Sequence, residues 1–278
     1  MPGGAEMPAM SDQSGNDEDP GPYAAVHARP EGDATVARLA LTAVEMGYEG
    51  LVVRNHGDAD AEPLPAGNDG TDAEDGPSSR EDPADGAYVP ERVADAYDVD
   101  VVPAVEIRTD DRGQAAGLLS RYREERALVC VHGGPLNRWA VEDPRVDVLA
   151  HPMRGAGDVN HVVVKAAAHN GVRLEFDLSR VLARTGGERV QALRDLRKLR
   201  EIVSYYDAPF VVSVDTDSYL GLRAPRALRA VGEVVGLPPG DVSAGLAEWG
   251  RLARRNRTRL GEDFIAPGVQ SGRYEKVD

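Results

Sequence analysis

Short apolar runs alternate along this chain with longer stretches whose apolar residues recur every three or four positions. The runs YAAVHA (23–28), GLVVRNH (50–56), DVVPAVEIR (100–108), ALVCVHGG (127–134), DVLAHP (147–152), VRLEFDLS (172–179) and PFVVSVDT (209–216) read as strands. Helical patterns fill the gaps at 33–48, about 90–96, 111–126, about 135–141, 158–171, 187–207, 224–237 and about 241–258. In the first of these, Val36, Leu39, Ala40, Ala43, Val44 and Gly47 share one face, and Asp33 is placed to cap its start. Asn170-Gly171 marks a helix stop. Pro103 lacks an N–H, which predicts an edge or bulge where the third strand begins.

Strands with near-continuous Val and Leu belong to a parallel sheet buried on both faces. Seven of them separated by helices predict an α/β fold, a TIM-type (β/α) barrel of seven strands or an irregular eight. No Gly-x-Gly-x-x-Gly follows a strand, which argues against a dinucleotide fold.

Two segments break the alternation. Residues 1–22 hold five acids and no base, and residues 57–91 hold eleven acids and only Arg80. Their charges, −5 and −10, sum to the net −15 of the whole chain, so the remainder is neutral. Both segments are rich in Gly and Pro and poor in apolar residues, too poor to offset the entropy of ordering them. The expectation is a disordered tail at 1–22, one barrel domain at 23–260 with a disordered insertion at 57–86, and a C-terminal tail at 261–278. There is no apolar window long enough to span a membrane and no signal-peptide pattern at the start. With a single cysteine, Cys130, a cytoplasmic location is expected. Only Lys165, Lys198 and Lys276 are lysines among 32 bases, against 47 acids. That balance suits molar salt, where self-repulsion is screened within about 3 Å.

In such barrels chemistry sits at the C-terminal strand ends. Here those ends carry His27, His56, Glu106, His132, His151, Glu175 with Asp177, and Asp215 with Asp217. Four of six histidines on one rim, among carboxylates, form a potential cluster for zinc, manganese or iron.

The stretches PAVEIRT, VCVHGG, VLAHP, GVRLEFDLS and VSVDTDSY resemble strand ends of the PHP metallophosphoesterase superfamily, a PHP-like barrel in which three metals hydrolyse phosphate esters. The resemblance maps His27, His56, Glu106, His132, His151 and Asp215 onto ligand positions. It also shows departures. Arg29, Asn55 and Asp217 stand where His, Asp and His would complete the motifs, and arginine cannot coordinate. With Arg54 and Arg108 flanking the rim, no intact metal centre is expected.

A wider resemblance covers nearly the whole chain outside the acidic segments. AVHARPEGDATVARLALTAVEMGYEGLVVRNH, VVPAVEIRT, VDVLAHP, GVRLEFDLS and APFVVSVDTDSYLGLRAPRALRAVGEVVGL are similar to the ribonuclease P protein component 3 family, the archaeal and eukaryotic thirty-kilodalton subunits. The resemblance implies a non-catalytic subunit of the ribonucleoprotein that removes the 5′ leader of precursor tRNA. Its partners would be the RNase P RNA, which uses Mg²⁺, the small component 2, other protein subunits, and precursor tRNA. The chain itself would need no cofactor. The competing expectation is an autonomous PHP-type phosphoesterase. For RNA or partner contact the candidates are Arg29, Arg54 and Arg108 at the rim. Arg251, Arg254, Arg255 and Arg259 join them, a stripe on the last helix at i, i+4 spacing. RVQALRDLRKLR (189–200) is a second basic run, with five bases and one acid.

Overall fold

A computed structural model describes residues 19–57, 90–154 and 159–260, with the backbone of 264–266 and 269–270. The expected acidic tail, apart from residues 19–22, the insertion beyond Gly57, and most of the C-terminal tail lie outside the described residues.

Seven parallel strands run side by side in chain order. They are β1 (Tyr23–Val26), β2 (Gly50–Val53), β3 (Asp100–Ile107), β4 (Leu128–His132), β5 (Val148–Ala150), β6 (Arg173–Asp177) and β7 (Phe210–Ser213). Around them lie α1 (Val36–Glu45), α2 (Pro90–Tyr97), α3 (Arg112–Glu125), α4 (Asn137–Glu142), α5 (His161–Asn170), α6 (Ser179–Ala183), α7 (Gly186–Tyr206), α8 (Pro225–Val235) and α9 (Pro239–Leu260). A short antiparallel pair, β8 (Phe264–Ala266) with β9 (Val269–Gln270), follows in the segment read as a tail.

At the end of β1 and just beyond β7, a bridge between Val26 and Thr216 closes the sheet into a barrel, with His27 N–H donating to the Thr216 carbonyl at 2.8 Å. The next loop reinforces the closure, where Asp33 N–H donates to the Asp217 carbonyl at 2.8 Å. Asp33 is therefore a seam residue and not the helix cap. Thr35 caps α1 instead, accepting from Arg38 N–H. Val44, read as part of the buried face of α1, is 38% exposed.

Pro103 sits inside β3, which pairs with strands on both sides. The reason is directional. Its carbonyl accepts from Ala127 on the β4 side, so the missing N–H faces that side too, where pairing begins only at Ala104. The proline costs the ladder nothing there.

Alternation along the strands sorts two cores. Ala24, Leu51, Val105, Val129, Leu149 and Leu174 point out against the helices. Ala25, Val52, Val102, Ala104, Cys130, Val148 and Val211 point inward and meet Trp249, Leu252 and Ala253 of α9. α9 thus plugs the N-terminal mouth of the barrel. Asn256 fixes it, donating to the Ala127 carbonyl and to Asp147, both at 2.8 Å. The C-terminal mouth holds polar side chains.

Candidate functional site

The inward parity of the strands carries past their ends. Two residues on from Val52 comes Arg54, from Ala104 comes Glu106, from Ala25 comes His27, and from Cys130 comes His132. Glu175, Asp177 and Asp215 have the same parity on their own strands. His151 does not, since Ala150 already points inward. Its φ of 48° breaks the alternation and turns the imidazole into the ring. Gly133 makes room for that turn, since a Cβ there would lie 2.3 Å from the His151 carbonyl oxygen.

Four imidazoles form an arc. Ring centroids of His27 and His56 are 4.8 Å apart, those of His56 and His132 5.6 Å, and those of His132 and His151 5.0 Å. Beneath the arc lies Arg54, fully buried with its guanidinium 5.5 Å from the Trp249 ring. It approaches Asp215 at 2.5 Å, Glu175 at 2.8 Å and Glu106 at 3.4 Å. His151 spans two more carboxylate contacts, Nδ1 to Asp177 at 3.2 Å and Nε2 to Asp215 at 3.1 Å. Its N–H donates to Glu175 at 2.9 Å, and Ser213 donates to the same carboxylate at 2.6 Å. His132 bonds Glu106, and His27 bonds Asp215 at 2.9 Å.

Opposite charges set the protonation states. Burial disfavours the charged form of every group here, and the partners override it. Glu106 and Asp215 are held well below the usual carboxylate range by Arg54 and His151 against that burial. Asp177 is lowered by its hydrogen bond to His151. Despite burial, His151 is pushed well above its ordinary value by Asp215, Glu175 and Glu106. His27, also buried, rises to about 9 through hydrogen bonds to Asp215 and Glu31. The carboxylates Glu106, Glu175, Asp177 and Asp215 thus lie among Arg54, Arg154 and the histidines His27, His56 and His151.

Would this ring take metal ions? Four trios of donors come within 4.8 Å of one another: His27–Glu31–His56, His56–Glu106–His132, His27–Glu106–Asp215 and His151–Asp177–Asp215. The last three each contain a carboxylate already paired with Arg54 or Arg154. A divalent ion there would sit against a permanent cation, so a metal cluster does not fit. In the His27–Glu31–His56 trio the carboxylate of Glu31 pairs with the two histidines.

The sequence candidates divide accordingly. His27, His56, Glu106, His132, His151 and Asp215 converge, as do Glu175 and Asp177, while Asp217 is exposed outside the ring. Arg54 was expected as a rim contact for RNA or a partner. It is instead wholly enclosed and presents nothing to a partner. Arg29, expected beside the metal positions, is exposed and donates to the Asp33 carbonyl at 3.3 Å. Arg108 is exposed on the rim. On α9, Arg251 pairs with Glu248 at 2.7 Å and Asp19 at 3.2 Å, and Arg255 pairs with Asp147 at 2.7 Å. The expected stripe is thus partly engaged with acids of the chain itself; Arg254 and Arg259 are exposed. Two residues were not foreseen. Glu31 bonds His56 and lies 3.5 Å from His27, and Arg154 pairs with Asp177 at 2.7 Å. Both come from loops after strands, where no periodicity flags them.

A family model described as RNase P subunit p30 matches residues 23–260. Ribonuclease P protein component 3 of Natronomonas pharaonis is 52% identical over 256 residues, covering 92% of this chain and 96% of that protein. The protein of the same name from Halorubrum lacusprofundi is 52% identical over 256 residues, covering 91% and 99%. Among solved structures, a chain in a cryo-EM structure of archaeal ribonuclease P with mature tRNA superposes with a TM-score of 0.68. It is 19% identical, and the match covers 91% of this chain and 99% of that one.

Proposed function

The chain belongs to the RNase P subunit p30 family, and on that premise we propose that it is a non-catalytic protein subunit of ribonuclease P. In this reading it supports the catalytic RNA, with the small component 2 and other protein subunits, in removing the 5′ leader of precursor tRNA. The Mg²⁺ belongs to the RNA, and the assembly is cytoplasmic. Among the described residues no helix is long and apolar enough to cross a membrane.

One observation carries the non-catalytic part. Arg54 neutralises Glu106, Glu175 and Asp215 from the centre of the barrel. An autonomous phosphoesterase would need those carboxylates for metal ions and would need the ring open to substrate. Here Arg54, Glu106 and Glu175 are buried to 1% exposure or less.

The test is reconstitution. The full chain, with and without component 2, is added to the cognate RNA, and leader removal is measured against Mg²⁺ concentration. The pair is expected to lower the Mg²⁺ requirement, and no change would sink the reading. Stoichiometric Mn or Zn in the purified chain, with phosphatase activity lost in His151→Ala, would instead establish the phosphoesterase.

A further inference from the structure

We infer that a groove beside the ring, lined by Arg154, Ser179, Arg180 and Arg184, binds a phosphodiester of an RNA strand. The inference rests on the reading that this chain serves an RNA catalyst, and it names a surface through which it does so.

The groove lies where β6 leads into α6. Arg180 lies in the first turn of that helix, and Arg184 is the extended residue that caps its C-terminus; both line the groove. Arg154 reaches the same place from the loop after β5, and Ser179 and Ala183 complete the lining. Three guanidinium groups and a hydroxyl therefore face the groove, and among the described residues no carboxylate lines it.

The acids that balance these arginines stand behind them. Asp177 accepts from Arg154 at 2.7 Å. Asp195 lies 3.5 Å from Arg180, and Glu188 lies 3.8 Å from Arg184. The last two pairs are long, and the last is largely exposed, so they hold their arginines weakly. A guanidinium has five N–H donors, and one ion pair leaves most of them for a ligand. Arg154 Nε is buried and has no hydrogen-bond partner among the described residues.

This donor set matches phosphate oxygens, which accept bidentate N–H bonds in the plane of a guanidinium. Molar salt sharpens the choice. Beyond about 3 Å charge attraction is screened, so only contacts of defined geometry retain value. Ser179 and paired arginines provide such contacts. On α9, Arg251, Arg255 and Arg257 are held at 2.7 Å by Glu248, Asp147 and Asp100, more closely than Arg180 and Arg184 are held by Asp195 and Glu188.

The test uses the full chain assembled with component 2 and the cognate RNA. Cys130 is the only cysteine and is buried, so an iron chelate tethered through Ala183→Cys sits at the groove alone. Hydroxyl radicals from it are expected to cut the RNA in one confined patch. In parallel, Arg180→Ala and Arg184→Ala should each lower the slope of log affinity against log salt by about 0.7–0.9. Arg138→Ala, an exposed arginine on α4 paired with Glu142, should leave it unchanged. An assembly that still lowers the Mg²⁺ requirement but shows no cutting and no change of slope overturns the groove and leaves the functional reading standing. Binding of inorganic phosphate that falls in the two variants while RNA affinity stays constant would make the groove a free-anion site and overturn it as well. Protection of the tethered position by component 2 alone would assign the surface to protein. An assembly with no effect on Mg²⁺ requirement rejects the underlying reading itself.

Discussion

Arg54 is the residue on which the site turns. Its guanidinium meets the carboxylates of Glu106 and Glu175, both buried, and of Asp215, which is almost so. Removing one partner of such a network leaves uncompensated buried charge, which costs about 3–5 kcal/mol. Arg54→Met should therefore destabilise the chain by that order in denaturant titrations at high salt. Arg54→Lys should recover only part of the loss, because an ammonium is a point charge and cannot fork among Asp215, Glu175 and Glu106. Equal stability of Arg54→Met and the parent would show that the carboxylates are neutral, and the charge balance drawn for the ring would fail. The sequence reading put Arg54 near the end of the strand GLVVRNH, flanking the rim. Counting by twos from Val52 would have placed it inside with the other inward positions.

At the scale of elements, α9 does work that the sequence suggested for RNA. Its arginines at i, i+4 spacing looked like a phosphate-binding stripe. In the fold Arg255 joins Arg123, Asn256 and the Val129 N–H around the Asp147 carboxylate, which is 2% exposed. That knot ties α3, the starts of β4 and β5, and the plugging helix together. Arg255→Ala should therefore cost about 1–3 kcal/mol in unfolding titrations, as expected for losing a hydrogen bond to a charged group. It should leave the salt dependence of RNA binding unchanged. A reduced salt slope with full stability would return Arg255 to the RNA-facing set. The alternation of strands and helices was legible because a parallel sheet buried on both faces leaves unbroken Val and Leu runs, and those runs fall within a few residues of all seven strands. α6 was missed because five residues give no measurable period. Which acid meets which arginine was not legible either, since Asp147 and Arg255 are 108 residues apart.

The whole molecule carries a net charge of −15, yet its barrel mouth holds a balanced buried set of acids and protonated histidines. These two features predict different pH behaviour, and salt separates them. At about 1 M salt the Debye length is about 3 Å, so exposed acids contribute little to the pH dependence of stability, whereas buried pairs are barely screened. His27 has a folded value of about 9 against an ordinary 6.5, so the folded chain keeps a proton that the unfolded chain releases in that window. Where the unfolded state binds fewer protons, stability falls as pH rises. The contribution is complete below about 6.5 and is lost as pH passes 9, and His56 and His151, also raised, act with the same sign. On the acid side Glu31, Glu106 and Asp215 are lowered, so their contribution is present above the ordinary 3.8–4.5 and is lost as pH falls further. Thermal unfolding at high salt, with a chelator present, should therefore show greatest stability between about pH 4.5 and 6.5, with a decline toward pH 9. His27→Gln should flatten the alkaline limb relative to the parent, even if it lowers the midpoint at every pH. If the parent's midpoint is level from pH 6.5 to 9, the histidines are neutral in the fold. The ring would then carry more negative charge than Arg54 and Arg154 can balance, and a bound cation would have to supply the difference.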